Sequence, residues 1–266
     1  MLNNKNANGT TKIALITGSS SGIGWAIAEH FAKSGLTIWL HGVEPKPALE
    51  DRAIFLRTTY AVEVETFSVD LSSPSALETF AEELTAREAM DVLVNNAGLQ
   101  HVAPIEKFEI EKWNKLLHVH LTAAFRLIQV ALPNMRKNSW GRIINMSSVH
   151  GLVASEQKAA YVAAKHGLIG LTKAVALETA GAGITCNAIC PGWVRTPLVE
   201  RQIEDRAKAS GRDFEVEASA LLEEKQPSKR FTELEHIAGL TQFLCSEAAS
   251  NITGSSIPVD GAWLAQ

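Results

Sequence analysis

Short, fully apolar runs alternating with longer stretches of helical period constrain this chain more than any other feature. The runs are KIALIT (12–17), LTIWLH (36–41), VEVETFSV (62–69), DVLVNNA (91–97), GRIINMSS (141–148), GITCNAICPG (183–192) and SSIPVDG (255–261). They are rich in β-branched residues and carry apolar side chains at successive positions, so both faces of each strand need cover. Helix-period segments near 22–34, 74–87, 109–137, 156–180 and 233–247 supply it. The expected fold is α/β: one doubly wound parallel sheet flanked by helices. No linker rich in Pro, Gly or Ser and no repeat divides the 266 residues, so a single domain over 1–266 is expected. Residues 1–11 read as a frayed polar terminus. From Val194 to Pro227 the rhythm breaks, and charges mingle with VEASALLEEK. That stretch, 194–227, reads as a helical lid insertion over a substrate, or as a surface excursion without a role.

Composition excludes several classes. A net charge of -4 leaves no basic surface for nucleic acid or anionic lipid. Cys186, Cys190 and Cys245 are odd in number and lack neighbouring histidines, so buried free thiols are expected rather than disulfides or a metal site. No run reads as a membrane span, and the opening residues hold no apolar signal core. A cytoplasmic protein is expected.

The first strand ends in TGSSSGIG, with Gly18, Gly22 and Gly24 at the mouth of the first helix. Glycines there allow a tight turn and let backbone N–H groups approach a pyrophosphate at the helix N-terminus. The spacing differs from the usual dinucleotide fingerprint, and position after the first strand carries the reading. The second strand ends in His41, Gly42 and Val43, with Glu44 one place late for the acidic residue that receives the ribose hydroxyls. Neither segment offers Arg or Lys for a 2′-phosphate, so NAD is favoured over NADP. Asp70 reads as an acceptor for the adenine amino group or as a helix N-cap region residue. NNAG (95–98) closes the fourth strand, where backbone passes close to a ligand or turns sharply.

The segment SSVHGLVASEQKAAYVAAKHG spans 147–167. With a helix starting near Glu156 and capped by Ser155, Tyr161 and Lys165 share a face, as do Lys158 and Tyr161. Ser148 ends the fifth strand, and His150 points the same way if extended backbone persists. A hydroxyl, a phenol and two ammonium groups thus gather at the carboxyl ends of the strands. A free phenol titrates near 10, and lowering it by about three units takes roughly 4 kcal/mol. An adjacent ammonium and a positive nicotinamide ring are expected to supply that. Tyr161 would then take the carbinol proton while Ser148 holds the substrate oxygen. The plainer reading is a half-buried tyrosine beside a surface lysine.

TGSSSGIG, NNAG, Ser148, YVAAK and the Pro191–Gly192 pair, in this order, resemble the short-chain dehydrogenase/reductase family over nearly the whole chain. NNAGLQHVAPIE, HGLVAS, AYVAAKHGLIGLTK, NAICPGWVRTPLVE and EKQPS are similar to its bacterial members that interconvert (R)-3-hydroxybutyrate and acetoacetate with NAD. The resemblance implies a Rossmann-type homotetramer with Ser148, Tyr161 and Lys165 catalytic. It implies cofactor contacts at Ser20, Ser21, Ile23, Val43, Asp70, Leu71, Asn96, Gly98, Pro191, Val194 and Thr196, with Lys165 on the nicotinamide ribose. Substrate-carboxylate contacts fall to Gln100, His150, Lys158 and Gln202, and Trp193 and Trp263 wall the pocket.

Lys158 is also a surplus positive charge on the tyrosine's face, suited to a small anionic hydroxy or keto acid. The alternatives are a solvated lysine, a His150 that caps a strand end, a Gln202 on the lid surface, and tryptophans of an ordinary core or interface. One departure stands out: where the family carries an asparagine holding a relay water, this chain has His120. We expect His120 to substitute, adding a pH-dependence near 6–7. Competing functions are an NADPH-linked 3-oxoacyl reductase and a non-catalytic dinucleotide sensor.

Overall fold

The computed structural model describes residues 3–6 and 9–266. Met1, Leu2, Ala7 and Asn8, part of the expected frayed terminus, lie outside the described residues. Within that terminus, the Lys12 amide donates to the Asn4 carbonyl at 2.8 Å and the Asn4 side chain to the Gly35 carbonyl at 3.3 Å.

Seven strands form one parallel sheet: β1 Ile13–Ile16, β2 Thr37–Gly42, β3 Val64–Ser68, β4 Met90–Asn95, β5 Gly141–Met146, β6 Ile184–Pro191 and β7 Ser256–Val259. Their order is β3-β2-β1-β4-β5-β6-β7. Each starts and ends within two residues of its expected run. All positions of β2, β4, β5 and β6 are buried, as continuous apolar runs require. One face packs on α1 (Gly22–Lys33), α2 (Lys46–Tyr60) and α9 (Leu234–Leu244), through Ile27, Phe31, Leu56 and Ile237. The other packs on α3 (Pro74–Arg87), α5 (Ala123–Lys137) and α6 (Ala159–Thr179), through Phe80, Leu127 and Val175. The chain leaves β3 at one edge and re-enters at β4 beyond β1, so a crevice opens at the carboxyl ends of β1 and β4.

Four expectations change. Helix α2 was not expected; Pro45 is its N-cap and Pro47 lies in its first turn. Proline is tolerated there since the first-turn N–H groups have no intrahelical partner, and Leu49, Ala53 and Leu56 give the helix a buried stripe. The segment 109–137 is two helices, α4 (Ile110–Leu117) and α5, joined by a π-helical turn at His118–Thr122. This run, Ile110–Lys137, is long and apolar enough by length and composition to cross a bilayer, contrary to the sequence reading. Half of its most apolar window is buried inside the protein, with α5 packed on β4 and α3. Finally, α6 begins at Ala159 rather than Glu156. Gln157 adopts a left-handed φ of 61°, and the Ser155 hydroxyl is held by His150 Nε2 at 2.8 Å instead of capping a helix. The segment 194–227 folds as α7 (Pro197–Ser210) and α8 (Phe214–Lys225).

Candidate active site

A cavity of about 570 Å³ occupies the crevice. Gly18, Ser20, Ser21, Gly22 and Ile23 line it from the glycine turn, Val43, Asp70 and Leu71 from the ends of β2 and β3. Asn96 and Gly98 reach it from the end of β4, Pro191, Val194 and Thr196 from beyond β6. Ser148, Tyr161, Lys165 and His120 close its inner end. The turn is built for close approach. Gly18 has φ +64°, and a Cβ there would lie 2.9 Å from the Ala97 Cα; a Cβ on Gly24 would collide with the Gly18 carbonyl oxygen. Gly24 therefore acts in packing helix against turn and does not itself line the cavity. The Asn96 amide donates to the carbonyls of Thr17 and Gly18 at 2.9 and 3.1 Å, pinning the turn to β4. An elongated cleft with an exposed row of backbone over a helix N-terminus suits a dinucleotide.

Two residues at this end escaped the sequence reading. The Gly18 N–H donates to His41 Nδ1 at 3.2 Å, and burial lowers that imidazole to about 4, so it stays a neutral acceptor. The Glu44 carboxylate folds back to the turn. Its Oε1 accepts from the Ser20 hydroxyl at 2.7 Å, while Oε2 is buried with no partner. Glu44 looked one residue late in sequence, yet the bend after Gly42 returns it to the cavity wall. Asp70 accepts from the Ser72 amide at 2.8 Å, and its bonds to Ser72 hold its carboxyl below the usual range.

At the inner end, one turn of α6 separates Tyr161 from Lys165, whose Nζ lies 5.5 Å from the phenol ring centroid. Lys165 donates to the Met146 carbonyl at 2.7 Å, and burial lowers it to about 7. Burial also raises Tyr161 above its ordinary value, partly opposed by a hydrogen bond with Ser148. The expected depression of the phenol by its neighbour is thus absent in the protein alone: both groups are desolvated, and the loss of hydration outweighs their attraction.

His120 sits on the π-helical turn, edge-on to Tyr161 with ring centroids 5.2 Å apart. Its Nε2 lies 2.8 Å from the Leu99 carbonyl, and Nδ1 is buried without a partner. Burial and Lys165 push it down to about 3. The expected titration near 6–7 is therefore corrected: the ring is neutral throughout that range.

Beyond Tyr161 a chain of aromatic contacts leads to the second cationic group. The His150 ring lies 6.0 Å from Tyr161 and 5.5 Å from Trp263, which packs 5.7 Å from Trp193. Lys158 Nζ stands 5.0 Å from the Trp193 ring centroid. Lys158 has no carboxylate partner among the described residues, and burial with the nearby Arg206 lowers it to about 8. Extended backbone does not persist past Ser148. A 3-10 turn at Val149–Gly151 brings the His150 N–H to the Ser148 hydroxyl at 3.2 Å. Burial lowers His150 to about 4, and its Nε2 is engaged with Ser155. Trp193 and Trp263 belong to a small apolar cluster with Val199, Ile203, Leu221 and Leu222 of α7 and α8. Gln100 keeps a buried Oε1 without a partner, whereas the Gln202 amide turns to the Leu198 carbonyl of its own helix at 3.5 Å.

A family model described as Enoyl-(Acyl carrier protein) reductase matches residues 18–263. A D-beta-hydroxybutyrate dehydrogenase of Cupriavidus necator is 46% identical over 256 residues, covering 96% of this chain and 98% of that protein. A D-beta-hydroxybutyrate dehydrogenase of Rhizobium meliloti is 44% identical, covering 96% and 100%. Among solved structures, L-sorbose reductase from Gluconobacter frateurii, complexed with NADPH and L-sorbose, superposes with a TM-score of 0.90 at 34% identity, covering 96% of this chain and 97% of that one. Likeness that runs the length of both chains, and not through the glycine turn alone, shows that this chain belongs to the short-chain dehydrogenase/reductase family of oxidoreductases.

Proposed function

We propose that this protein oxidises (R)-3-hydroxybutyrate reversibly to acetoacetate with NAD. The observation that carries the reading is Lys158, a partly buried ammonium without a carboxylate partner among the described residues, set against Trp193 at the end of the ring contacts that lead from Tyr161 through His150 and Trp263. Such a group is stabilised when an anion reaches it. A four-carbon hydroxy acid places its carboxylate two bonds from the carbinol, and two tryptophans leave little room for a longer chain. The names of the relatives from Cupriavidus necator and Rhizobium meliloti agree with that substrate.

The residues present fit a nicotinamide dinucleotide through the glycine turn, the β-strand ends and the partnerless Glu44 Oε2. Bound there, it supplies a hydride acceptor and, when oxidised, a positive charge beside the phenol. Glu44 favours NAD: its carboxylate accepts from ribose hydroxyls and repels a 2′-phosphate. The NADPH carried by L-sorbose reductase is a property of that protein.

Ser148 holds the substrate oxygen and Tyr161 removes its proton, with the Ser148–Tyr161 hydrogen bond aligning both. Because burial keeps the phenol protonated in the protein alone, its basicity develops only in the ternary complex. Lys165, anchored on Met146, then gains its proton as the phenolate forms. Lys158 receives the carboxylate, and the Gln100 side-chain N–H groups would donate to it. Neutral His150 orients Ser148. The exposed apolar side chains Ile105, Ile110, Phe125 and Leu177 favour assembly with further copies, in the expected reading four.

The test is absorbance at 340 nm with each enantiomer of 3-hydroxybutyrate and with NAD or NADP. The expected result is reduction of NAD by the (R) enantiomer alone. Equal rates with both enantiomers, or turnover only with NADP, would overturn the reading.

A further inference from the structure

The arginines of α7, α8 and the loop before them are not alike. Arg195 pairs with Glu200 and Glu215 at 3.3 and 2.9 Å, Arg206 with Glu217 and Glu224 at 3.2 and 2.5 Å, and Arg212 with Glu217 at 3.3 Å. Arg201 has no ion pair among the described residues, is exposed, and borders the crevice cavity. Its helix is seated on the glycine turn: a Cβ on Gly22 would lie 3.4 Å from Thr196 Cγ2, and Pro197, Leu198 and Val199 line the same cavity. An unpaired guanidinium one turn into α7 therefore borders the same cavity as the glycine turn.

Of the other cations that line the cavity, Lys165 is committed to a backbone carbonyl, that of Met146 at the inner end, and Lys115 stands near Asp70 at the far wall. Glu44, the acidic group at the ribose side, is already held by Ser20. A dinucleotide laid along the cavity has its two negative charges at the glycine turn, where backbone donors alone leave them incompletely neutralised. A guanidinium binds such oxygens with a planar fork of donors.

We propose that Arg201 is a ligand of the cofactor diphosphate. The two helices α7 and α8 are tied to each other, because Glu217 of α8 receives both Arg206 and the Ser210 hydroxyl of α7. Val199 and Ile203 of α7 complete the apolar wall beside Trp193 and Trp263. This inference rests on the dinucleotide reading but not on the identity of the acid.

The experiment titrates intrinsic tryptophan fluorescence with NADH, ADP-ribose and adenosine, using the native protein and Arg201→Gln. Loss of one charge-assisted contact should weaken NADH and ADP-ribose alike by about 5- to 20-fold. Adenosine, which lacks the diphosphate, should bind both proteins equally. Arg201→Lys should recover part of the loss as a point charge. Hydrogen exchange of α7 amides should slow on adding ADP-ribose to the native protein and not to Arg201→Gln. Native affinity of Arg201→Gln for ADP-ribose would overturn the inference. Failure of the native protein to bind either dinucleotide would instead sink the cofactor reading itself.

Discussion

At the glycine-turn end of the crevice, shape comes from backbone: Gly18 and Gly24 leave no room for a side chain, and Asn96 ties the turn to the sheet. At the tryptophan end, shape comes from side chains on separate segments, with Lys158 before α6, Trp193 after β6 and Trp263 near the carboxyl terminus. The first end is braced by a buried sheet. The second leans on α7 and α8 through the apolar cluster of Trp193, Val199, Ile203, Leu221, Leu222 and Trp263, to which exposed pairs such as Arg195–Glu215 add about 0–1 kcal/mol each. The contrast teaches that one end of the crevice is shaped by the sheet itself and the other by side chains that distant segments of the chain bring together.

The contrast can be broken in several places. The largest expected effect falls where the two ends meet: Tyr161→Phe should lower kcat by about 10³- to 10⁴-fold, within the range of general acid–base catalysis. NADH affinity should hardly change, which fluorescence titration checks. Next, Gly24→Ala adds a methyl against the Gly18 carbonyl, and overpacking of this kind costs about 1–3 kcal/mol. We expect NADH binding weakened about ten- to hundredfold by the displaced turn, with the KM for the acid little altered. A smaller effect is expected at Glu44. Removing its charge in Glu44→Gln should raise the NADP/NAD ratio of kcat/KM by about five- to tenfold, and an unchanged ratio would show that the carboxylate does not face the ribose. Smallest is His120→Asn. Because His120 titrates near 3, the pH profile of kcat between 6 and 8 should keep its shape; a lost inflection near 6–7 would mean that the ring ionises there.

Much of the glycine-turn end was legible in the sequence. Runs apolar at consecutive positions announce buried parallel strands, and TGSSSGIG after the first of them announces the turn. Tyr161 and Lys165, four apart on a helix, share a face whatever the surroundings. The rest depends on tertiary geometry. Glu44 reaches the turn only because the chain bends after Gly42, and His41 becomes an acceptor only because burial keeps it neutral. The start of α6 was misplaced because Ser155 resembles a cap, while its hydroxyl is claimed by a histidine five residues back. The phenol's surroundings are a related case: spacing reports that an ammonium is near, but the desolvation of both groups in the protein alone is set by the packed protein.

Lys158 offers the most direct test. In Lys158→Ala, measured beside the native protein with saturating NAD, the KM for (R)-3-hydroxybutyrate should rise about 10- to 100-fold, as for loss of a buried charged partner. The Kd for NADH should stay the same. In the native protein kcat/KM should fall as pH rises through about 8, where Lys158 loses its proton and with it the attraction for the carboxylate. Lys158→Arg, charged over that whole range, should remove the fall. An unchanged KM in Lys158→Ala would contradict the account, because the partnerless ammonium would then not be the group that receives the acid.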